Sequence, residues 1–122
     1  MADTVTISDS ILTSIKKQLN IAESYHAFDS DIVFLINSSF SVLNQLGVGP
    51  DKGFSIEDDS AEWSSFISDD RLRMTFEYVY LKVRLSFDPP NGSVLNSMEN
   101  RISELELRLV VASEEVKNEN GD

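Results

Sequence analysis

The sequence predicts an all-α fold, a small four-helix bundle with one long ordered loop between its second and third helices. Three observations carry that expectation. Apolar residues recur at three- and four-residue spacing in four separate segments. Residues that stop helices stand at the segment ends, notably Asn20, Gly47 and the consecutive Pro89 and Pro90. Only Phe54 and Ile56, inside the long loop, alternate as a strand does, which leaves room for one short β segment.

The first helix is expected over about 10–19. Ser8 or Asp9 caps it, Ile11, Leu12, Ile15 and Leu19 share a face, and Asn20 stops it in a left-handed conformation with Ile21 folding back. So short a helix needs a partner. The second begins with Asp29 as N-cap and Phe28 placed to staple onto Val33. Its apolar set, Ile32, Val33, Leu35, Ile36, Phe40, Val42, Leu43 and Leu46, covers a wide arc, so it reads as a central core helix, ended by Gly47, Gly49 and Pro50. Residues 48–67 carry no long period, and a loop of that length needs a reason. Trp63, with Phe54, Ile56 and Phe66, is expected to pin it to the body, and 62–66 to make one helical turn.

The third helix is read as opening with Ser68 as cap and Asp69 and Asp70 in its first turn, where the helix dipole favours anions. It carries two apolar stripes on opposite sides. Leu72, Phe76, Val79, Tyr80, Val83 and Phe87 form one, and Met74, Tyr78, Leu81 and Leu85 the other. A helix apolar on two sides needs two neighbours, supplied either by this chain alone or by this chain and a second subunit, and the pattern leaves both open. Beyond the two prolines, a fourth helix over about 93–111 shows a narrow seam of Val94, Met98, Ile102, Leu105, Leu109 and Ala112. The expected division is a flexible segment over 1–9, a helical domain over 10–112 and an acidic, disordered tail over 113–122.

Composition bounds the function. The 122 residues, 41% hydrophobic and 25% charged, make one domain able to bury roughly two thirds of its unfolded surface. No apolar run approaches the roughly 18 residues of a membrane span, and the start lacks a basic, then apolar, leader, so synthesis in a cytoplasm and no membrane partner are expected. The absence of cysteine removes thiolate nucleophiles and Cys-based zinc sites. A net charge of -11 argues against a protein that holds nucleic acid by neutralising phosphates. The single histidine, His26, reads as a surface or helix-entry residue, so no His-based triad or metal cluster is indicated. Asp51, Glu57, Asp58 and Asp59 miss the alternating spacing of a calcium loop and read as a solvated acidic loop. GVGPDKG follows a helix and contains a proline, so it is a helix terminator and not a phosphate cradle. No catalytic residue, metal or cofactor is expected.

The succession ILTSIKKQLNI, FDSDIVFLINSSFSVLNQLGVGP, GFSIEDDSAEWSSF, YVYLKVRLSFDPP and ISELELRL resembles the small head-tail connector proteins of tailed phages, also called head-completion or adaptor proteins. The similarity spans roughly residues 10–110. It implies a virion subunit that closes as a cyclic homo-oligomer, dodecameric on the portal protein, prolongs the DNA channel and offers a platform to the next neck or tail-completion protein. DNA would pass through without specific binding. By that resemblance Met74, Tyr78, Leu81 and Leu85 become candidates for the ring interface, and Leu107, Val110 and Val111 for docking on the portal. Asp51, Glu57, Asp58 and Asp59 become candidates for the loop that meets the ring or channel. The competing reading is a small cytoplasmic helical regulator that binds another protein through an exposed helix.

Overall fold

The computed structural model describes residues 5–119. Among them are four helices, α1 (Ile11–Gln18), α2 (Asp29–Gln45), α3 (Leu72–Phe87) and α4 (Gly92–Glu119), and a single 3-10 turn at Trp63–Ser65. The expected helix stops are present. Ser10 caps α1 by accepting from the Thr13 amide at 3.2 Å. At the other end Asn20, at φ 64°, lets the Ile21 and Asn20 amides bond back to the carbonyls of Lys16 and Lys17. Gly47, at φ 83°, does the same for α2, and the Val48 that follows is buried. Two residues on, a Cβ on Gly49 would overlap the Phe66 ring, so close approach as well as positive φ requires glycine there.

Two helix starts differ from expectation because other side chains bind the acids expected there. Asp29 is the first residue of α2 and caps nothing. Its carboxylate instead pairs with Lys16 at 2.7 Å and with the His26 ring at 2.8 Å. The Lys16 ammonium is almost wholly buried, and its three protons have three acceptors, Asp29 and the carbonyls of Glu23 and Tyr25. It thereby fastens the loop between α1 and α2. Phe28 packs edge-on against Tyr25 and Phe87. Helix α3 starts at Leu72 and not at Ser68, since the Asp69 carboxylate is bound by the backbone and guanidinium of Arg71, which holds it below the usual carboxylate range.

The long loop is pinned as expected. Trp63 is fully buried and its indole N–H donates to Ser14 at 2.9 Å. Phe40 of α2 lies at the centre of a cluster with Phe54, Trp63 and Phe66, with ring centroids 4.5 to 6.2 Å apart. The short β segment reduces to one antiparallel bridge, Ser10 with Glu62. Ile56 instead bonds through both backbone groups to the side-chain amide of Asn37, at 2.8 and 2.9 Å, so an asparagine stands where a strand would. The start of the chain joins this region, for the Ile7 and Asp9 carbonyls accept from Ser64 and Trp63. Of the segment expected to be flexible, 1–4 lie outside the described residues.

Helix α3 is the middle layer, with α1, α2 and the loop on one side and α4 on the other. Pairs along the first half of α3 show α3 and α4 antiparallel: Arg71 donates to Ser113, Tyr78 to Glu106, and Arg101 grips Glu77 through two bonds of 2.7 and 2.8 Å. The seam of α4 is Met98, Ile102, Leu105, Leu109 and Ser113. Ser113 thus takes the place expected of Ala112, and Val94 stands exposed before the paired stretch begins. Helix α4 runs eight residues past its expected end at Val111, because no glycine or proline interrupts 93–119. The tail expected over 113–122 is helical to Glu119, and 120–122 lie outside the described residues.

Candidate functional site

The candidate site is a set of surfaces, and burial decides which residues belong to it. Tyr78 does not. It is fully buried, with its hydroxyl 2.8 Å from Glu106, and burial first, then the Glu106 carboxylate, pushes its phenol well above the usual range. Its expected role as an outward ring contact is therefore corrected: α4 covers it within the same subunit. At 28 residues, about 42 Å, α4 is long enough to cover the second stripe of the 16-residue α3, about 24 Å. Met74, Leu81 and Leu85 share that side of α3 and are half-buried against the core. Both stripes are thus occupied inside one chain.

The portal candidates fare differently. Leu107 and Val111 are exposed on the side of α4 opposite its buried seam, while Val110 is half-buried. The acids Asp51, Glu57, Asp58 and Asp59 are all exposed. The last three sit at the loop's outer edge, between the anchors Ile56 and Trp63, beside a shallow groove that also takes in His26 and Asp29. Ser60 donates to Asp58 from its hydroxyl at 2.6 Å and its amide at 2.9 Å, which holds that carboxyl below its ordinary value. Among the described residues the His26 ring bonds only to Asp29, whose other oxygen is held by Lys16, so no hydroxyl is activated at this groove.

Sequence reasoning missed Phe34. It is 69% exposed, more than any other large apolar side chain of the described residues, with Leu107 next at 67%. The signal was available in the periodicity. At 100° per residue Phe34 falls opposite Ile32, Ile36, Phe40 and Leu43, among Ser30, Ser38, Ser41 and Gln45. A second apolar corner adjoins it, where Phe28, Tyr25 and the end of α3 at Phe87 meet.

The subunit is all-α with a closed interior, and its exposed large apolar side chains stand on α2, on α4 and at Ile7, Tyr25 and Phe28. A family model described as phage connector protein matches residues 11–116. This chain belongs to the phage connector protein family. Its role is that of a structural connector, and a connector is a component of the virion that contacts other head or tail proteins. The match begins with α1 and ends inside the last turns of α4, so it takes in the pinned loop and all three helical layers of the connector. No curated protein and no solved structure matches the chain.

Proposed function

We propose that this connector is the subunit of a ring that seats on the portal after DNA packaging, prolongs the DNA channel and carries the next neck or tail-completion protein. The observation that carries the reading is the placement of exposed apolar groups: the core is closed around α3, yet the two outer helices each present a large apolar side chain to solvent. The end of α4, from Val110 and Val111 to Glu119, extends past the start of α3 and is the portal-docking element. The acidic loop carrying Glu57, Asp58 and Asp59, with Asp51 beside it, faces the channel or the next ring subunit. A net charge of -11 suits a conduit, because phosphates slide past carboxylates without being held. Assembly takes place in the host cytoplasm.

The test is the mass of the purified full-length chain, alone and with the portal protein of the same genome, by light scattering. A multi-copy complex that co-migrates with portal is expected. A monomer indifferent to portal would contradict the reading and favour a regulator that binds a different protein.

A further inference from the structure

The strips around Phe34 and Leu107 share two properties. Each is nearly free of charge, in a chain where one residue in four is charged. On α2 the solvent side reads Ser30, Phe34, Ser38, Ser41 and Gln45, all exposed, with Asp31 at one edge. On α4 it reads Asn96, Asn100, Ser103 and Leu107, also exposed; Glu99 stands at one edge and Glu114 beyond Leu107, while the charges at the other edge, Glu104 and Arg108, pair with each other at 2.9 Å. Each strip has one large apolar side chain, and those two are the most exposed in the described structure. The strips also face apart. Helices α2 and α4 lie on opposite sides of α3, and each strip is opposite the buried stripe of its own helix.

We infer that the α2 strip of one subunit packs on the α4 strip of the next copy, so that Phe34 and Leu107 are the apolar centres of the ring's subunit contact. This rests on the ring reading above. Two copies of net charge -11 repel, and contact is least opposed where neither surface carries charge. Interface cores are depleted of charge and enriched in aromatic side chains, with polar groups kept to the rim, and Phe34 amid uncharged side chains fits the first two of these. Two different strips on opposite sides give a head-to-tail contact, the kind that closes into a ring when the rotation from copy to copy closes, whereas one strip meeting its own copy would stop at a dimer. Strips about 22 Å long on α2 and about 17 Å on α4, each one helix wide at about 10 Å, fall short of the roughly 800 Å² per partner of a stable pair. A single contact is therefore weak, and the closed ring, where every subunit uses both strips, is the stable form. The assignment gives Leu107 to the neighbouring subunit and leaves the portal to Val110, Val111 and the helix beyond.

The test uses the absence of native cysteine. Full-length Ser38→Cys and Ser103→Cys variants, and the double variant, are assembled on portal and treated with a short bifunctional maleimide. The two single variants mixed together are expected to give a cross-linked dimer, the double variant a ladder that ends at the ring, and either single variant alone no cross-link. Phe34→Ser is expected to weaken assembly by about tenfold or more while its unfolding midpoint stays unchanged. Rings visible by electron microscopy without the mixed cross-link would overturn the strip assignment and leave the ring reading intact. Cross-linked dimers from one single variant alone would overturn it in favour of a two-fold contact. Wild-type protein that forms no ring on portal would overturn both.

Discussion

Tyr78 and Phe34 are both aromatic residues on helices of similar length, and they have opposite fates. Tyr78 has no exposed surface and its hydroxyl is bound to Glu106; Phe34 stands 69% exposed among serines. The difference lies in the layer and not in the helix. Helix α3 is the middle of three layers, so both of its apolar stripes meet other parts of the same chain. Helix α2 is an outer layer, so the residue opposite its core face meets water. An apolar group on the middle helix therefore belongs to folding, and one on an outer helix is available to the subunit contact proposed above.

The largest break in that comparison comes from Tyr78→Asp. A carboxylate placed unpaired beside Glu106 in the core is expected to cost about 4 kcal/mol or more, a large share of what a domain of this size has, measured by urea unfolding. Next is Asp29→Ala, which leaves the buried Lys16 ammonium with two acceptors in place of three and is expected to cost about 3 kcal/mol in the same assay. Acid tests the same pair. Lys16, against some opposing desolvation and with help from His26, holds Asp29 below its ordinary pKa. A carboxyl lowered by folding contributes its full stability above the unfolded value of about 3.9 and loses it as pH falls through the folded value. Stability should accordingly decline below about pH 4, and Asp29→Asn should make that decline shallower. Tyr78→Phe keeps the ring and removes one hydrogen bond, for an expected loss of about 1 kcal/mol. The smallest effect on folding belongs to Phe34→Ser, within about 0.5 kcal/mol of wild type.

The layers mark the boundary of what the sequence made legible. Features set by neighbours in the chain were readable: the four apolar periodicities, the stops at Asn20 and Gly47, and a loop pinned by Trp63. Features set by distant partners were not. Asp29 has the chemistry of a helix cap, but Lys16 of α1 binds it instead. The two stripes of α3 call for two neighbours, and only the packing of α4 over Tyr78 shows that the same chain supplies both. For the candidate site, the resemblance points to Leu107 and Val111, which are exposed, and to Tyr78, which α4 covers; the periodicity alone leaves open whether this chain or a second subunit meets that side of α3. Phe34 was overlooked because it adjoins the apolar run Ile32, Val33, Leu35 and Ile36, and its angle, not its neighbours, sets it apart.

The most direct test of the division between a closed middle helix and assembling outer ones is a mass measurement on the Phe34→Ser protein mixed with portal, beside wild type and with the unfolding midpoints of both. The account predicts equal midpoints, a multi-copy wild-type complex on portal, and a Phe34→Ser protein that remains largely monomeric. A Phe34→Ser protein that assembles as wild type does would contradict it.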